Sequence, residues 1–154
     1  MTVTIGEIAP DFDLESNLGE KLSLSTLKGN NIVLYFYPKD NTPGCTIEAQ
    51  DFNSAIEEFE KSDTIVLGVS RDSIKSHCNF ANKFNLKFNL LSDKNEEACK
   101  NYEVIAEKSM FGKKYMGIER STFLIDKIGK VAQIWRKVQV KGHVQEVLKE
   151  VKKL

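Results

Sequence analysis

The fold class this sequence predicts is an α/β sandwich built on a mixed sheet, and three observations predict it. A continuous apolar run, Ile32 to Tyr37, is stopped by Pro38 and fits a central strand buried on both faces. Strand-like and helix-like segments then alternate. A strand pair and an amphipathic helix close the chain.

The elements follow in order. Asp11 to Leu14 and Lys21 to Leu24 alternate apolar and polar residues around Ser16 to Gly19, which reads as an N-terminal β-hairpin. After the central strand the period changes: Ala49, Phe52, Ile56 and Phe59 recur at three- and four-residue steps, predicting one helix from Pro43 to about Lys61. Pro43 stands at its start, where a missing N–H costs nothing. Thr64 to Val69 is the next strand, and Ser73 to Asn85 a helix with Ile74, Cys78 and Ala81 in register. A short strand, Phe88 to Leu91, precedes a short helix near Asn95 to Tyr102. Lys108 to Lys114 reads as a mixed basic loop. Ser121 to Ile125 and Val131 to Trp135 are strands joined by a turn at Asp126 to Gly129, and His143 to Lys152 is the closing helix.

Composition narrows the function classes. The chain has 154 residues, enough for one domain with a real core, and its 22 basic side chains balance 22 acidic ones. With no net charge there is no field to draw in nucleic acid or anionic lipid, and no apolar run is long enough to span a membrane. The N-terminus lacks a basic patch followed by an apolar stretch, so the expected address is cytoplasmic. The nine glycines form no phosphate-binding cluster, and the two histidines and three cysteines show no metal-ligand spacing. Neither a cofactor nor a metal is expected.

Three widely spaced cysteines, Cys45, Cys78 and Cys99, do not make a disulfide framework; each is either buried and inert or kept for its reactivity. Cys45 falls in the first turn of the helix after the central strand, where unpaired N–H groups and the helix dipole stabilise a thiolate. Thr42 places a hydroxyl three residues earlier, and Pro38 and Pro43 stiffen the loop. The alternative is a small residue that merely sits near a helix start. Arg120 is one of only three arginines and precedes a core strand. It is either a solvated residue or a fixed cation aimed at the sheet's end. Trp135 and Phe123 read as sheet residues and His143 as structural; His77, next to Cys78, either tunes that thiol or is a solvated helix residue, and the second reading is preferred.

The string PKDNTPGC from Pro38 to Cys45 contains the PxxxTxxC pattern of the peroxiredoxins, and Tyr35 to Ala49 as a whole resembles their Q-type, or bacterioferritin comigratory, subfamily. Further matching segments run from Ala9–Phe12 through Gly68–Ser70, Leu91–Asp93 and Gly117–Phe123 to Lys141–His143. The resemblance implies a thioredoxin fold carrying the N-terminal hairpin as an extension. It implies a thiol peroxidase acting on hydrogen peroxide and alkyl hydroperoxides, with Cys45 as the peroxidatic cysteine that becomes a sulfenic acid. Thr42 and Arg120 are then its activating partners and Pro38 its shield, with Glu48 placed to orient Arg120. No cofactor is needed, and a thioredoxin-like donor or another thiol recycles the enzyme, as a monomer or weak dimer.

One departure stands out. Many Q-type enzymes carry a resolving cysteine five residues after the peroxidatic one, where this chain has Gln50. Resolution then falls to Cys78, to an external thiol or to Cys99, and reaching Cys78 requires the first turn around Cys45 to unwind. Two other functions compete. A disulfide oxidoreductase is disfavoured because there is no CxxC, and a thioredoxin-fold redox sensor or holdase would leave the thiol without efficient peroxide turnover.

Overall fold

The computed structural model describes residues 3–154. Its main sheet has seven strands in the order β2-β1-β5-β4-β3-β8-β9. The N-terminal hairpin is β1 (Leu14–Ser16) and β2 (Lys21–Leu22), a few residues later in its first arm and shorter in its second than the alternation predicts. Next come β3 (Asn31–Phe36), α1 (Pro43–Ser54), α2 (Ile56–Lys61), β4 (Thr64–Ser70), α3 (Ile74–Phe84), β5 (Asn89–Ser92) and α4 (Glu97–Asn101). The chain ends with β6 (Ile105–Met110), β7 (Lys113–Ile118), β8 (Ser121–Ile125), β9 (Val131–Trp135) and α5 (His143–Val151). The sheet is mixed: β3, β4 and β5 run parallel, while β8, β9 and β1 are antiparallel to their neighbours.

All six residues of β3 are buried, as a central strand requires. Their alternation divides the core in two. Ile32, Leu34 and Phe36 point to a face shared with Cys99 and Tyr102, and Val33 and Tyr35, followed by Tyr37, point to a face covered by α1, α2, α3 and α5. Cys45 lies on that second face and Cys99 on the first, so the sheet stands between them.

Two elements differ from the sequence reading. The helix expected from Pro43 to Lys61 is broken at Ala55, whose φ of −99° and ψ of 5° end α1 before α2 begins. Across the break the Phe52 and Phe59 ring centroids lie 6.0 Å apart, both buried in the same core cluster. The expected loop over Lys108–Lys114 is instead the tip of a hairpin in which β6 pairs antiparallel with β7, apart from the main sheet. Among the described residues, no helix is long and apolar enough to cross a membrane.

Candidate active site

The site forms where β3 gives way to α1. Pro38 ends the ladder after a last bond from the Tyr37 N–H to the Val69 carbonyl, and the chain turns through Asn41 with φ at 58°, in the left-handed region that asparagine tolerates. Thr42 is the N-cap of α1, in extended conformation, with Pro43 at the first helical position. Its carbonyl accepts from the Thr46 N–H at 2.8 Å, and its hydroxyl donates to the Lys39 carbonyl at 2.8 Å. Because that proton is engaged, the lone pairs of Thr42 Oγ1 are what the hydroxyl can offer a neighbour.

Cys45 sits in the first turn of α1 and is almost wholly buried. Arg120, between β7 and β8, reaches over this turn. Its Nη1 donates to Glu48 Oε1 at 2.7 Å and its Nη2 to Cys45 Sγ at 3.5 Å. The approach depends on Gly44: a Cβ there would lie 3.1 Å from Arg120 Nη2, tighter than most side-chain contacts. Sulfur thus receives positive potential from a guanidinium and from the helix N-terminus together.

The Glu48 side chain is fully buried, and its second oxygen, Oε2, has no partner among the described residues. Burial is the main cause that raises its pKa, to about 7, against the opposing pull of Arg120. Burial likewise disfavours the Arg120 charge, but Glu48 and Cys45 more than offset this and raise its basicity. Tyr35 brings a buried hydroxyl, also without a partner among the described residues, and burial followed by the Glu48 charge pushes its pKa well up. On β6, Lys108 is held below the usual lysine range, first by partial burial and then by Arg120.

The structure therefore brings Cys45, Thr42, Arg120 and Glu48 together, with the half-buried Pro38 at the mouth of the loop. Cys78 is not among them: half-buried on α3, it donates from Sγ to the Asn17 carbonyl at 3.1 Å, beside the hairpin. Cys99 is fully buried, and burial with the neighbouring Asp93 pushes its thiol far up. His143 is structural, its Nε2 2.7 Å from the Thr122 hydroxyl, and burial lowers its pKa to about 4. Phe123 is buried and Trp135 half-buried, in keeping with sheet positions.

The sequence reading placed His77 in solvent. The structure corrects this: its ring is fully buried and hydrogen-bonded to Asp40 and to the Leu91 carbonyl. Helical spacing held a partial signal, since His77 is three residues after Ile74 and four before Ala81 on the same stripe, but its partner Asp40 lies 37 residues away. The role of Gly44 was equally invisible, since it depends on Arg120 arriving from another part of the chain.

Comparison with known proteins identifies the fold and the family. The AhpC/TSA family model matches residues 5–134. Peroxiredoxin Bcp of Bacillus subtilis is 52% identical over 152 residues, covering 99% of this chain and 97% of the relative. A putative peroxiredoxin bcp of Coxiella burnetii is 51% identical over 148 residues, covering 96% and 98%. Among solved structures, a cysteine-to-serine mutant of Xylella fastidiosa PrxQ superposes with a TM-score of 0.94 at 41% identity, covering 99% and 98% of the two chains. Xanthomonas campestris bacterioferritin comigratory protein, in structures concerned with alkyl peroxide reduction, gives 0.88 at 48% identity, covering 92% and 90%. The thioredoxin-fold expectation holds for the sheet and its helices alike. This chain belongs to the AhpC/TSA family, and within it is a thiol peroxidase of the peroxiredoxin group.

Proposed function

We propose that Cys45 is the peroxidatic thiol and that hydrogen peroxide and alkyl hydroperoxides are its substrates. The observation that carries this reading is the double engagement of Arg120, whose two terminal nitrogens meet Glu48 and the Cys45 sulfur. The thiolate attacks the terminal peroxide oxygen: an S–O bond forms, the O–O bond breaks, and the departing alkoxide or hydroxide takes a proton to leave as alcohol or water. The Cys45 N–H and Arg120 donate to the oxygens as charge moves away from sulfur, and Thr42 Oγ1 accepts the hydroperoxide proton. Pro38 screens the sulfur from bulk water. The product on the enzyme is a Cys45 sulfenic acid.

The fold supports an external thiol as the resolving group. The sheet separates Cys99 from Cys45. Cys78 bonds to the Asn17 carbonyl beside β1, while Cys45 follows β3 and packs with Tyr35 and Tyr37, with β3 two strands beyond β5 in the sheet order. At about 4.8 Å per strand, a two-strand offset is wider than the roughly 7 Å between Cα atoms that a disulfide tolerates. Cys78 serves instead only if α3 or the first turn of α1 opens. A thioredoxin-like protein or a small thiol then returns the enzyme to its thiol form. The three free cysteines suit a reducing, cytoplasmic setting, where the chain acts as a monomer or weak dimer.

The test is peroxide consumption with a thiol donor by the wild type and a Cys45→Ser variant. Turnover should vanish in the variant; equal rates would show that the reacting thiol lies elsewhere. The redox-sensor or holdase alternative predicts slow peroxide turnover even in the wild type.

A further inference from the structure

A buried histidine that the peroxide chemistry does not use lies against the loop that the chemistry needs. His77 Nε2 is 2.9 Å from the Leu91 carbonyl, which can only accept, so Nε2 carries a hydrogen. The other nitrogen, Nδ1, is 2.7 Å from Asp40 Oδ2. A bare imidazole nitrogen and a bare carboxylate oxygen are both acceptors and repel at that distance. A proton therefore lies between them, beyond what a neutral histidine and a carboxylate would hold.

The surroundings fix both partners in place. Asp40 accepts from the Tyr37 hydroxyl at 2.6 Å and from Ser76 Oγ at 2.8 Å. Its own N–H donates to Asp72 Oδ2 at 2.8 Å, and that oxygen also accepts from Ser70 Oγ at 2.6 Å. The ligand-type atoms of Asp40, Asp72 and His77 all lie within 4.8 Å of one another. The ionisable groups facing the ring are Asp40 from the loop, Tyr37 from the end of the β3 segment and Asp72 from the β4–α3 connection; β5 contributes only the Leu91 carbonyl.

Asp40 stands two residues before Thr42, and the Lys39 carbonyl between Pro38 and Asp40 is the group that fixes the Thr42 hydroxyl. We propose that the proton shared by His77 and Asp40 holds the loop from Pro38 to Thr42 in its reactive shape, making His77 a positioning residue for peroxide reduction. When the proton leaves, two lone pairs face each other, Asp40 moves away, and Thr42 loses its orientation toward the substrate. The inference rests on the reading of Cys45 and Thr42 given above.

The experiment follows the His77 ring nitrogens by NMR in full-length protein labelled with ¹⁵N-histidine, from neutral to alkaline pH, together with the second-order rate of reaction with hydrogen peroxide. A bridging proton at neutral pH, lost on the alkaline side in step with the rate, is the expected result. Asp40→Ala should slow the reaction roughly a hundred-fold, the scale of a 1 Å misplacement. Asp40→Asn, whose amide N–H replaces the trapped proton with a fixed donor, should recover most of that loss and leave a ring that no longer titrates with the rate. A ring without a bridging proton at neutral pH would overturn the proposal, as would a folded Asp40→Asn protein as slow as the alanine variant. The wild-type spectrum decides even where the alanine variant fails to fold. A Cys45→Ser protein that still consumed peroxide would sink the reading of the site yet leave the ring spectrum unaffected.

Discussion

Arg120 and Glu48 form a buried ion pair at 2.7 Å, and the same guanidinium turns its second terminal nitrogen to the Cys45 sulfur at 3.5 Å. One planar cation is held by a carboxylate on one side and offered to a thiol on the other. Lysine has a single ammonium on a flexible stem and cannot keep both contacts in a fixed plane. Arg120→Lys should therefore lower the second-order rate with hydrogen peroxide by roughly a hundred-fold, the scale of losing one preorganised donor at a developing charge. Stopped-flow measurement under pseudo-first-order conditions checks this; a loss below about threefold would show that charge alone suffices.

Glu48 gives the pair a dependence on pH. Its folded pKa is raised to about 7 from a carboxylate value near 4.5, so the folded protein holds this proton more tightly than the unfolded chain does. Its contribution to stability is fully present below about pH 4.5 and is lost as pH rises to about 7 and beyond. Glu48→Gln removes that dependence: the wild type's unfolding free energy in urea, minus the variant's, should fall as pH rises between these limits, by at most about 3 kcal/mol. The glutamine should also slow peroxide reduction, because Arg120 loses the charge that orients it. A stability difference that stays flat with pH would contradict the assignment.

Gly44 links backbone to cation. Alanine suits a helical position better than glycine by up to about 1 kcal/mol, yet its Cβ would meet Arg120 Nη2 at 3.1 Å. Gly44→Ala is thus expected to melt no lower than wild type while reacting more slowly with peroxide, by roughly tenfold or more. Paired thermal unfolding and stopped-flow traces separate the two effects. A variant that is both stable and fully active would show that Arg120 has room to spare.

Much of this was legible before the structure. The unbroken apolar run at Ile32 to Tyr37 could only be an inner strand, and the segment from Pro38 to Cys45 carries a local pattern that positions its own side chains. The hairpin of β6 and β7 was not legible, because most of its residues are exposed or half-buried and little apolar alternation marks a face. The break at Ala55 was hidden for a related reason: Phe52 and Phe59 keep helical spacing across it, so periodicity alone reads one helix. His77 and Asp40 show the third limit. Nothing local joins the two, and only the packing of α3 against the loop after β3 makes them a buried pair.

The other two cysteines should behave unlike Cys45 and unlike each other. Cys78→Ser is expected to retain turnover when an external thiol is supplied, since the folded enzyme keeps Cys78 on the Asn17 side of α3. Cys99→Ser swaps a fully buried thiol for a hydroxyl that can donate to the neighbouring Asp93 carboxylate, so the fold should lose no more than about 1 kcal/mol, read from urea midpoints. Collapse of thiol-supported turnover in Cys78→Ser would instead establish that α3 opens during every cycle.

The central claim is that Cys45 is the sulfur that meets peroxide, and intact-mass analysis with peptide mapping after one equivalent of hydrogen peroxide tests it most directly. The first oxygen should appear on the peptide containing Cys45, as sulfenic acid or its trapped adduct, with Cys78 and Cys99 still reduced. Primary oxidation of Cys78 or Cys99 with Cys45 left as a free thiol would contradict the account.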